Sequence, residues 1–224
     1  MKSKYTFWIF IGFLTLFILW WYYYAFTNLN VTRHEEDTDT GSSVSEREPP
    51  PEVEIKNPEP KEVGEALTDK ITYVINASSL EGWAYFDFST GLIIKVPDQS
   101  SLDWDLGFKR ALIISNGGEA NSKGMSGVVK LENAEFDSIQ EAPESGYAVD
   151  VRVNPTETEN PAFRKWYEYS YMTHILKPKK NVYIIRTADG KYAKMQILKY
   201  TCGQLAGCYS IKYVYQGNGT RNFY

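Results

Sequence analysis

The sequence predicts an all-β domain of about ten antiparallel strands, preceded by one transmembrane helix and a disordered linker. Three features of the 224 residues lead to this organisation. An uncharged apolar run lies near the N-terminus, residues 27–70 are acidic and rich in proline, and residues 71–224 show hydrophobic alternation with a period of two. Such alternation is typical of strands with one face in a core, whereas helical patterns repeat every 3.6 residues.

The N-terminal run is long enough to cross a membrane. Residues 5–26, YTFWIFIGFLTLFILWWYYYAF, carry no charge, and as a helix at ~1.5 Å per residue they extend about 33 Å, enough for a bilayer core of about 30 Å. Lys2 and Lys4 precede the run, and Trp and Tyr residues at 20–24 close it as at a membrane interface. A cleaved signal peptide is the alternative, but its apolar region usually spans only ~7–15 residues. We therefore expect residues 1–4 in the cytoplasm, a single-pass anchor in the cell membrane and an extracytoplasmic remainder.

Residues 27–70 have the composition of a disordered linker. They contain 12 acidic and 5 basic residues and five of the ten prolines, and such a segment cannot bury enough apolar surface to offset its ordering entropy. Without it, residues 71–224 carry 17 basic and 16 acidic side chains. They show no clustered basic face, so we expect no nucleic-acid partner.

Short runs rich in β-branched and aromatic residues fill residues 71–224, separated by Gly, Pro, Asn, Asp and Ser. The ten runs are ITYVINA, WAYFDFS, LIIKV, RALIIS, GVVKL, YAVDVRV, KWYEYSYM, NVYIIRT, KYAKMQIL and YSIKYVY. Tight turns are predicted at Thr90-Gly91 and Asp189-Gly190, where glycine tolerates positive φ. Only LDWDLGFKR and ENPAFRKW have patterns that fit a helical turn.

The two cysteines, Cys202 and Cys208, lie on either side of a glycine-flanked loop, GQLAG. Outside the cytoplasm such a pair can form a disulfide across a hairpin. A two-cysteine metal site and two free thiols are the alternatives. We favour the disulfide because the segment contains no further soft metal ligands.

An ordered series of motifs gives a more specific indication. It runs from GWAYFDFSTGLII through Trp104-Asp105-Leu106 with Phe108 and Arg110, Asn116-Gly117-Gly118, APESGYAVDV and Trp166 to VYIIRTADGKYAKMQILKY. This series resembles the HmuY family of haem-binding proteins, haemophore-like all-β domains on cell surfaces, over about residues 70–216. Most of these motif residues are expected to support the fold. Trp104 and Phe108 should lie in the core, and Asp105 should cap the turn or pair with Arg110. The glycines should lie in a turn.

The resemblance implies that haem is held by two axial side chains, histidines or in some relatives methionines. The family pattern can place a histidine directly after the serine of W-x-E-x-S, but here Ser170 is followed by Tyr171. Tyr171 can itself ligate ferric haem as tyrosinate. Strand alternation would place Met172 and His174 on the face opposite Tyr171. The candidate ligands are therefore Tyr171, Met172 and His174, with Met125 as a second-side candidate; His174 is alternatively an ordinary strand-end histidine.

Two functions follow from these patterns. The first is a membrane-tethered, extracytoplasmic protein that binds haem or a related tetrapyrrole. The second is an interaction module in which the same β scaffold binds a surface protein or glycan through exposed aromatic residues. We expect the protein to have no enzymatic activity. The single histidine after residue 70 has no nucleophile motif near it, and no phosphate-binding glycine loop precedes a helix.

Overall fold

The computed structural model describes residues 19–20, 57, 67–203 and 205–224. The predicted cytoplasmic end, the anchor apart from Leu19 and Trp20, and most of the linker lie outside these residues. Leu19 and Trp20 are helical and exposed. Within the described part of the chain, no helix has the length and apolar character needed to span a membrane.

Thirteen strands and two short 3₁₀ helices make up the described domain, which confirms the all-β antiparallel prediction. The strands are β1 (Ile71–Asn76), β2 (Ala84–Asp87), β3 (Leu92–Ile94), β4 (Leu106–Lys109), β5 (Leu112–Ser115), β6 (Gly127–Glu132), β7 (Val151–Asn154), β8 (Glu157–Glu159), β9 (Tyr167–Tyr169), β10 (Leu176–Pro178), β11 (Asn181–Arg186), β12 (Tyr192–Cys202) and β13 (Leu205–Gln216). The 3₁₀ helices are Phe136–Ser138 and Pro161–Phe163.

A five-stranded antiparallel sheet in the order β1-β13-β12-β11-β6 forms the centre of the domain. Its middle strand pairs are in register with Tyr183 opposite Met195 and Ile197 opposite Ile211. A four-stranded sheet, β3-β2-β4-β5, and two separate hairpins, β7–β8 and β9–β10, complete the architecture.

Both faces of the five-stranded sheet are covered, which explains why β11 reads as a continuous apolar run rather than an alternating one. Tyr183 and Ile185 face the larger core, which the four-stranded sheet shares, whereas Val182 and Ile184 face a smaller core with Phe136. The sheet therefore has no solvent-facing side along β11.

The two predicted turns are confirmed. Gly91 lies between β2 and β3 with φ of 68°, and a Cβ atom there would be 2.8 Å from the Tyr213 hydroxyl. Gly190 lies between β11 and β12 with φ of 85°. Glycine meets both the conformational and the spatial requirement at Gly91.

The structure differs from the sequence prediction at LDWDLGFKR, where a strand replaces the expected helical turn. Residues Leu106–Lys109 form β4, which pairs with β2 and β5. Leu106 and Phe108 both enter the larger core, as alternation requires, and Gly107 lies under the Ile114 side chain on the other face. The other expected turn is confirmed, since Pro161–Phe163 is a 3₁₀ helix capped by Asn160, whose side chain accepts a hydrogen bond from the Ala162 N–H at 3.0 Å.

The predicted disulfide is confirmed. It joins Cys202 near the end of β12 to Cys208 in β13, with the two Cα atoms 5.5 Å apart. The bond therefore closes the hairpin between the two longest strands of the sheet.

We expect the double substitution Cys202→Ala with Cys208→Ala to lower the free energy of unfolding by about 2 kcal/mol, because the open chain gains loop entropy when unfolded. Urea denaturation with and without reductant measures the effect. Reductant should shift the midpoint of the wild-type protein and leave that of the double variant in place. An equal shift in both proteins would show that the disulfide does not stabilise the fold.

Candidate functional site

Two hairpins, which precede and follow the Pro161–Phe163 helix in the sequence, carry much of the exposed apolar surface. We call residues 149–159 the first hairpin and residues 167–178 the second hairpin. Together they carry half of the large apolar side chains that are exposed in residues 67–224, namely Val149, Val151, Val153, Tyr169, Tyr171, Met172 and Ile175. Clustered exposed apolar side chains are typical of binding surfaces.

The base of the second hairpin is fixed to the core by Trp166. Its side chain is 1% exposed, and its indole N–H donates to the Ala111 carbonyl at 3.0 Å. The indole packs against the rings of Tyr200 and Tyr209, each with centroids 5.2 Å away. The Lys179 N–H donates to the Trp166 carbonyl at 2.9 Å where the hairpin returns. The base of the second hairpin is thus anchored in the core.

The tip of the second hairpin, residues 170–175, is a loop and not the continuing strand that the sequence predicted. The His174 N–H donates to the Ser170 carbonyl at 2.8 Å, the Ser170 N–H donates to the Ile175 carbonyl at 3.0 Å, and His174 has φ of 55°. Because the chain turns after Tyr169, strand alternation does not apply to the residues beyond it. Tyr171 and Met172 are 84% and 94% exposed, and His174 is exposed as well.

Three rings gather at this tip. The Tyr169 hydroxyl lies 2.5 Å from His174 Nδ1, and the Tyr171 ring meets the Tyr169 ring edge-on with centroids 4.9 Å apart. Tyr171 and His174 therefore both contact Tyr169. Sequence reasoning missed Tyr169 as a site residue, because its contact with His174 depends on loop closure. The sequence signal that could have indicated this contact is the pair Tyr169 and His174, two ring side chains five residues apart at the end of a hairpin.

Met125 lies away from these residues. Its N–H donates to the Ala188 carbonyl at 3.1 Å, its carbonyl accepts from Arg186 Nε at 2.7 Å, and its side chain lies over Gly190. These contacts are at one end of β11, whereas the second hairpin joins the other end; six residues of strand separate them by about 17 Å. The structure does not bring Met125 to the second hairpin.

The first hairpin is held by a buried polar network at its base. Asp150, 1% exposed, accepts hydrogen bonds from the Ser115 N–H at 2.9 Å, the Ser115 hydroxyl at 2.6 Å and the Asn160 amide at 3.1 Å. Burial raises the pKa of Asp150 to about 6. Residues 149–159 include no histidine, methionine, tyrosine or cysteine. This hairpin therefore offers apolar contact but no conventional iron ligand.

The motif residues before these hairpins serve the scaffold. Asp105 accepts from the N–H groups of Phe88 and Ala188, both at 2.9 Å, so it links the four-stranded sheet to the β11–β12 turn. The suggested pairing of Asp105 with Arg110 is wrong, because the Arg110 side chain instead donates to the carbonyl groups of Ser78 and Ala206.

The glycines of Asn116-Gly117-Gly118 allow close approach of the backbone. A Cβ atom at Gly117 would be 2.1 Å from the Ser126 carbonyl oxygen, and Gly118 has φ of 59°. Both positions therefore need glycine to bring β5 against the neighbouring segments.

The profile of the HmuY protein family matches residues 79–213, which include the four-stranded sheet, both hairpins and the five-stranded sheet apart from β1 and the end of β13. The chain belongs to the HmuY family. Among solved structures, it is similar to the apo HmuY analog of Tannerella forsythia, at 18% identity, 71% coverage of this chain, 99% coverage of that chain and a TM-score of 0.53. It is also similar to apo PinO from Porphyromonas gingivitis, at 15% identity, 66% and 97% coverage and a TM-score of 0.51. No curated protein matches the chain.

At these identities the solved structures support the HmuY fold alone. The proposed ligands Tyr171, Met172 and His174 stay predictions. Within the residues that the structure describes, no group of three or more His, Cys, Asp or Glu side chains is arranged to hold a metal ion.

Two buried aspartates make the stability of this HmuY domain depend on pH. Burial and the neighbouring Asp87 carboxylate raise the pKa of Asp105 to about 7, and the pKa of Asp150 is about 6. Both exceed the ~3.9 of an unfolded aspartate, so the native protein holds these protons more tightly than the unfolded chain. The free energy of unfolding should therefore fall as pH rises from about 4 to about 7.

Urea unfolding at about pH 5 and about pH 8 tests this dependence. The midpoint should be higher at the lower pH, and Asp150→Asn should reduce the difference because it removes one titrating group. An equal or higher midpoint at the upper pH would contradict the assignment.

Proposed function

We propose that this chain is a membrane-tethered, extracytoplasmic HmuY protein that binds haem or a related tetrapyrrole without catalysing a reaction. One observation carries the proposal: the tip of the second hairpin presents tyrosine, methionine and histidine side chains together in exposed positions. These side chains are among the axial ligands that proteins use for haem iron. The uncharged run at 5–26 and the acidic linker at 27–70 support the tether.

The donor set of the second hairpin fits a tetrapyrrole, and the fit is best at His174. When Nδ1–H donates to the Tyr169 oxygen, Nε2 keeps its lone pair for a metal, as in histidine ligands oriented by a hydrogen bond to the other ring nitrogen. Tyr171 and Met172 are alternative donors on the same loop. The bound haem would supply the iron, and the neighbouring Ile175 would shield its apolar face. Lys177, which lies on β10 of the same hairpin, would attract a propionate.

The first hairpin would contribute apolar contact on the opposite side. Val149, Val151 and Val153 are 40%, 36% and 45% exposed and lie on one edge of that hairpin. Because residues 149–159 contain no conventional iron ligand, the side chains that bind the iron would all come from the second hairpin. The same valines favour the second candidate function, an interaction module that binds a surface protein.

A visible absorption titration of the full-length protein with ferric and ferrous haem tests the proposal. Haem binding predicts a saturable one-to-one spectrum with a sharp Soret band, lost in one of His174→Ala, Tyr171→Phe, Met172→Ala or Tyr169→Phe. Met125→Ala is the matched control, because it removes an exposed methionine at the far end of β11. A spectrum of free haem in every case would eliminate the tetrapyrrole and leave the interaction module.

A further inference from the structure

The strand β1 lies at one end of the five-stranded sheet, and in the described domain its partner strand is β13. In an antiparallel pair, the backbone groups of alternate residues point toward the partner strand and those of the others point away. The Ala77 N–H donates to the Gly207 carbonyl at 2.8 Å and continues the β1–β13 register, so the odd-numbered residues of β1 face β13. Thr72, Val74 and Asn76 therefore direct their N–H and carbonyl groups to the free edge of the sheet.

One residue of the linker, Asn57, occupies the middle of this edge. The Asn57 side chain accepts a hydrogen bond from the Val74 N–H at 2.8 Å and donates from Nδ2 to the Val74 carbonyl at 3.0 Å. One residue of an added strand would make the same two bonds through its own carbonyl and N–H. Val74 is half-buried, whereas Thr72 and Asn76 on either side of it are exposed. The carboxamide of Asn57 therefore takes the place of an added strand at a single residue.

The opposite edge of the sheet is covered in a different way. Val128 of β6 exchanges two backbone hydrogen bonds of 2.9 Å with Ala148. A backbone segment thus covers β6, whereas among the described residues only Asn57 bonds to the outward-facing backbone of β1. Open strand edges invite pairing with other chains, and proteins often cover them with a loop or place proline beside them. The Asn57 contact has the position that such an edge cover requires.

The sequence around Asn57 suits this contact. Asn57 lies 17 residues before Val74 in the same chain, and covalent connection gives it a high effective concentration at the edge. Pro58 and Pro60 follow it, and proline has no N–H to donate to a strand ladder. A side chain that carries both a donor and an acceptor can therefore bind this edge where the linker backbone is not able to continue as a full strand.

We propose that the free edge of β1 is the docking site for the chain's own linker and that Asn57 holds the linker there. The linker then leaves the domain at residue 57, beside the middle of β1, and not at residue 70. Docking is independent of haem binding. One consequence rests on the proposed tether: only residues 27–56 would separate the anchor from the domain.

Amide hydrogen exchange of the full-length protein, followed residue by residue by NMR, tests the docking. The Val74 amide should be protected in the wild type although it points away from β13. Asn57→Ala should accelerate its exchange about tenfold, because the N–H loses its acceptor. The amides of Tyr73 and Ile75 face β13 and should keep their rates in this variant. Asn154→Ala is the matched control, since this exposed side chain bonds within the first hairpin, and it should leave Val74 unchanged.

Trypsin cleavage after Lys56 gives a second readout. The peptide bond that is cut lies directly before Asn57, so docking should slow the cleavage, and Asn57→Ala should make it several times faster. Peptides of residues 51–62 with either residue at position 57 correct for the preference of trypsin itself. Cleavage after Arg33, far from Asn57 in the sequence, should be equal in the two proteins.

Three results would overturn the proposal. The first is unchanged exchange of the Val74 amide in Asn57→Ala, and the second is unchanged cleavage after Lys56 in that variant. The third is protection of Val74 in the wild type that increases with protein concentration, because a second copy of the chain, and not the linker, would then cover the edge. Failure of the haem titration alone would leave the docking of the linker standing.

Discussion

Replacing Trp166 by alanine should lower the free energy of unfolding by about 3–5 kcal/mol. The indole is 1% exposed and packs against Tyr167, Tyr200 and Tyr209, so its removal leaves a large cavity among rings that other contacts hold in place. The hydrogen bond to Ala111, 3.0 Å long, is lost as well. Urea denaturation measures the change as a lower midpoint at constant slope.

Trp83→Ala is the control for this substitution. Trp83 is only partly buried, with the Lys109 ammonium 5.0 Å from its ring, so the same change of side chain should cost much less there. Equal midpoint shifts for the two variants would show that Trp166 does not anchor the second hairpin to the core. A lower slope for Trp166→Ala would indicate a loosened native state instead.

Replacing Asp105 by alanine should destabilise the protein by about 2–6 kcal/mol near pH 5, because two buried N–H groups, those of Phe88 and Ala188, each lose an acceptor at ~1–3 kcal/mol. The loss should be smaller near pH 8. There the wild-type carboxylate, with its pKa raised to about 7 by burial and by the Asp87 carboxylate, is charged, and the substitution removes the cost of burying that charge beside Asp87.

The comparison variant is Asp103→Ala, two residues away. Asp103 is exposed, and within the described part of the chain its carboxylate accepts a hydrogen bond only from the Ser101 hydroxyl, so its removal should change stability within about 0.5 kcal/mol at either pH. Denaturation of both variants at the two pH values gives four midpoints. A loss for Asp105→Ala that does not depend on pH would contradict the raised pKa of Asp105.

The sheet architecture could be predicted where the sequence pattern has one physical interpretation. Alternation indicated strands, Gly91 and Gly190 marked turns that need positive φ, and the spacing of Cys202 and Cys208 indicated a disulfide across a hairpin. At β4 two periods fit equally well: Trp104 and Phe108 lie four apart, as on a helix, while Leu106 and Phe108 lie two apart, as on a strand. Only the partner strands β2 and β5 decide between them.

The candidate site was harder to predict from the sequence than the sheets. The strand pattern of KWYEYSYM suggested continuation through Met172, but β9 ends at Tyr169 because the chain turns back to form β10. The ring contacts of Tyr169 with Tyr171 and His174 arise from that turn.

The pairing of β1 with β13 sets the timing of folding during synthesis. Asn76 pairs with Cys208 and Ile71 with Tyr213, so one edge of the five-stranded sheet joins the beginning of the domain to its end. Roughly 130 residues must be made between the two strands, which at ~5–20 residues per second takes about 7–26 s. During that interval the nascent β1 has no native partner strand, and the ribosome must finish almost the whole domain before the sheet can close.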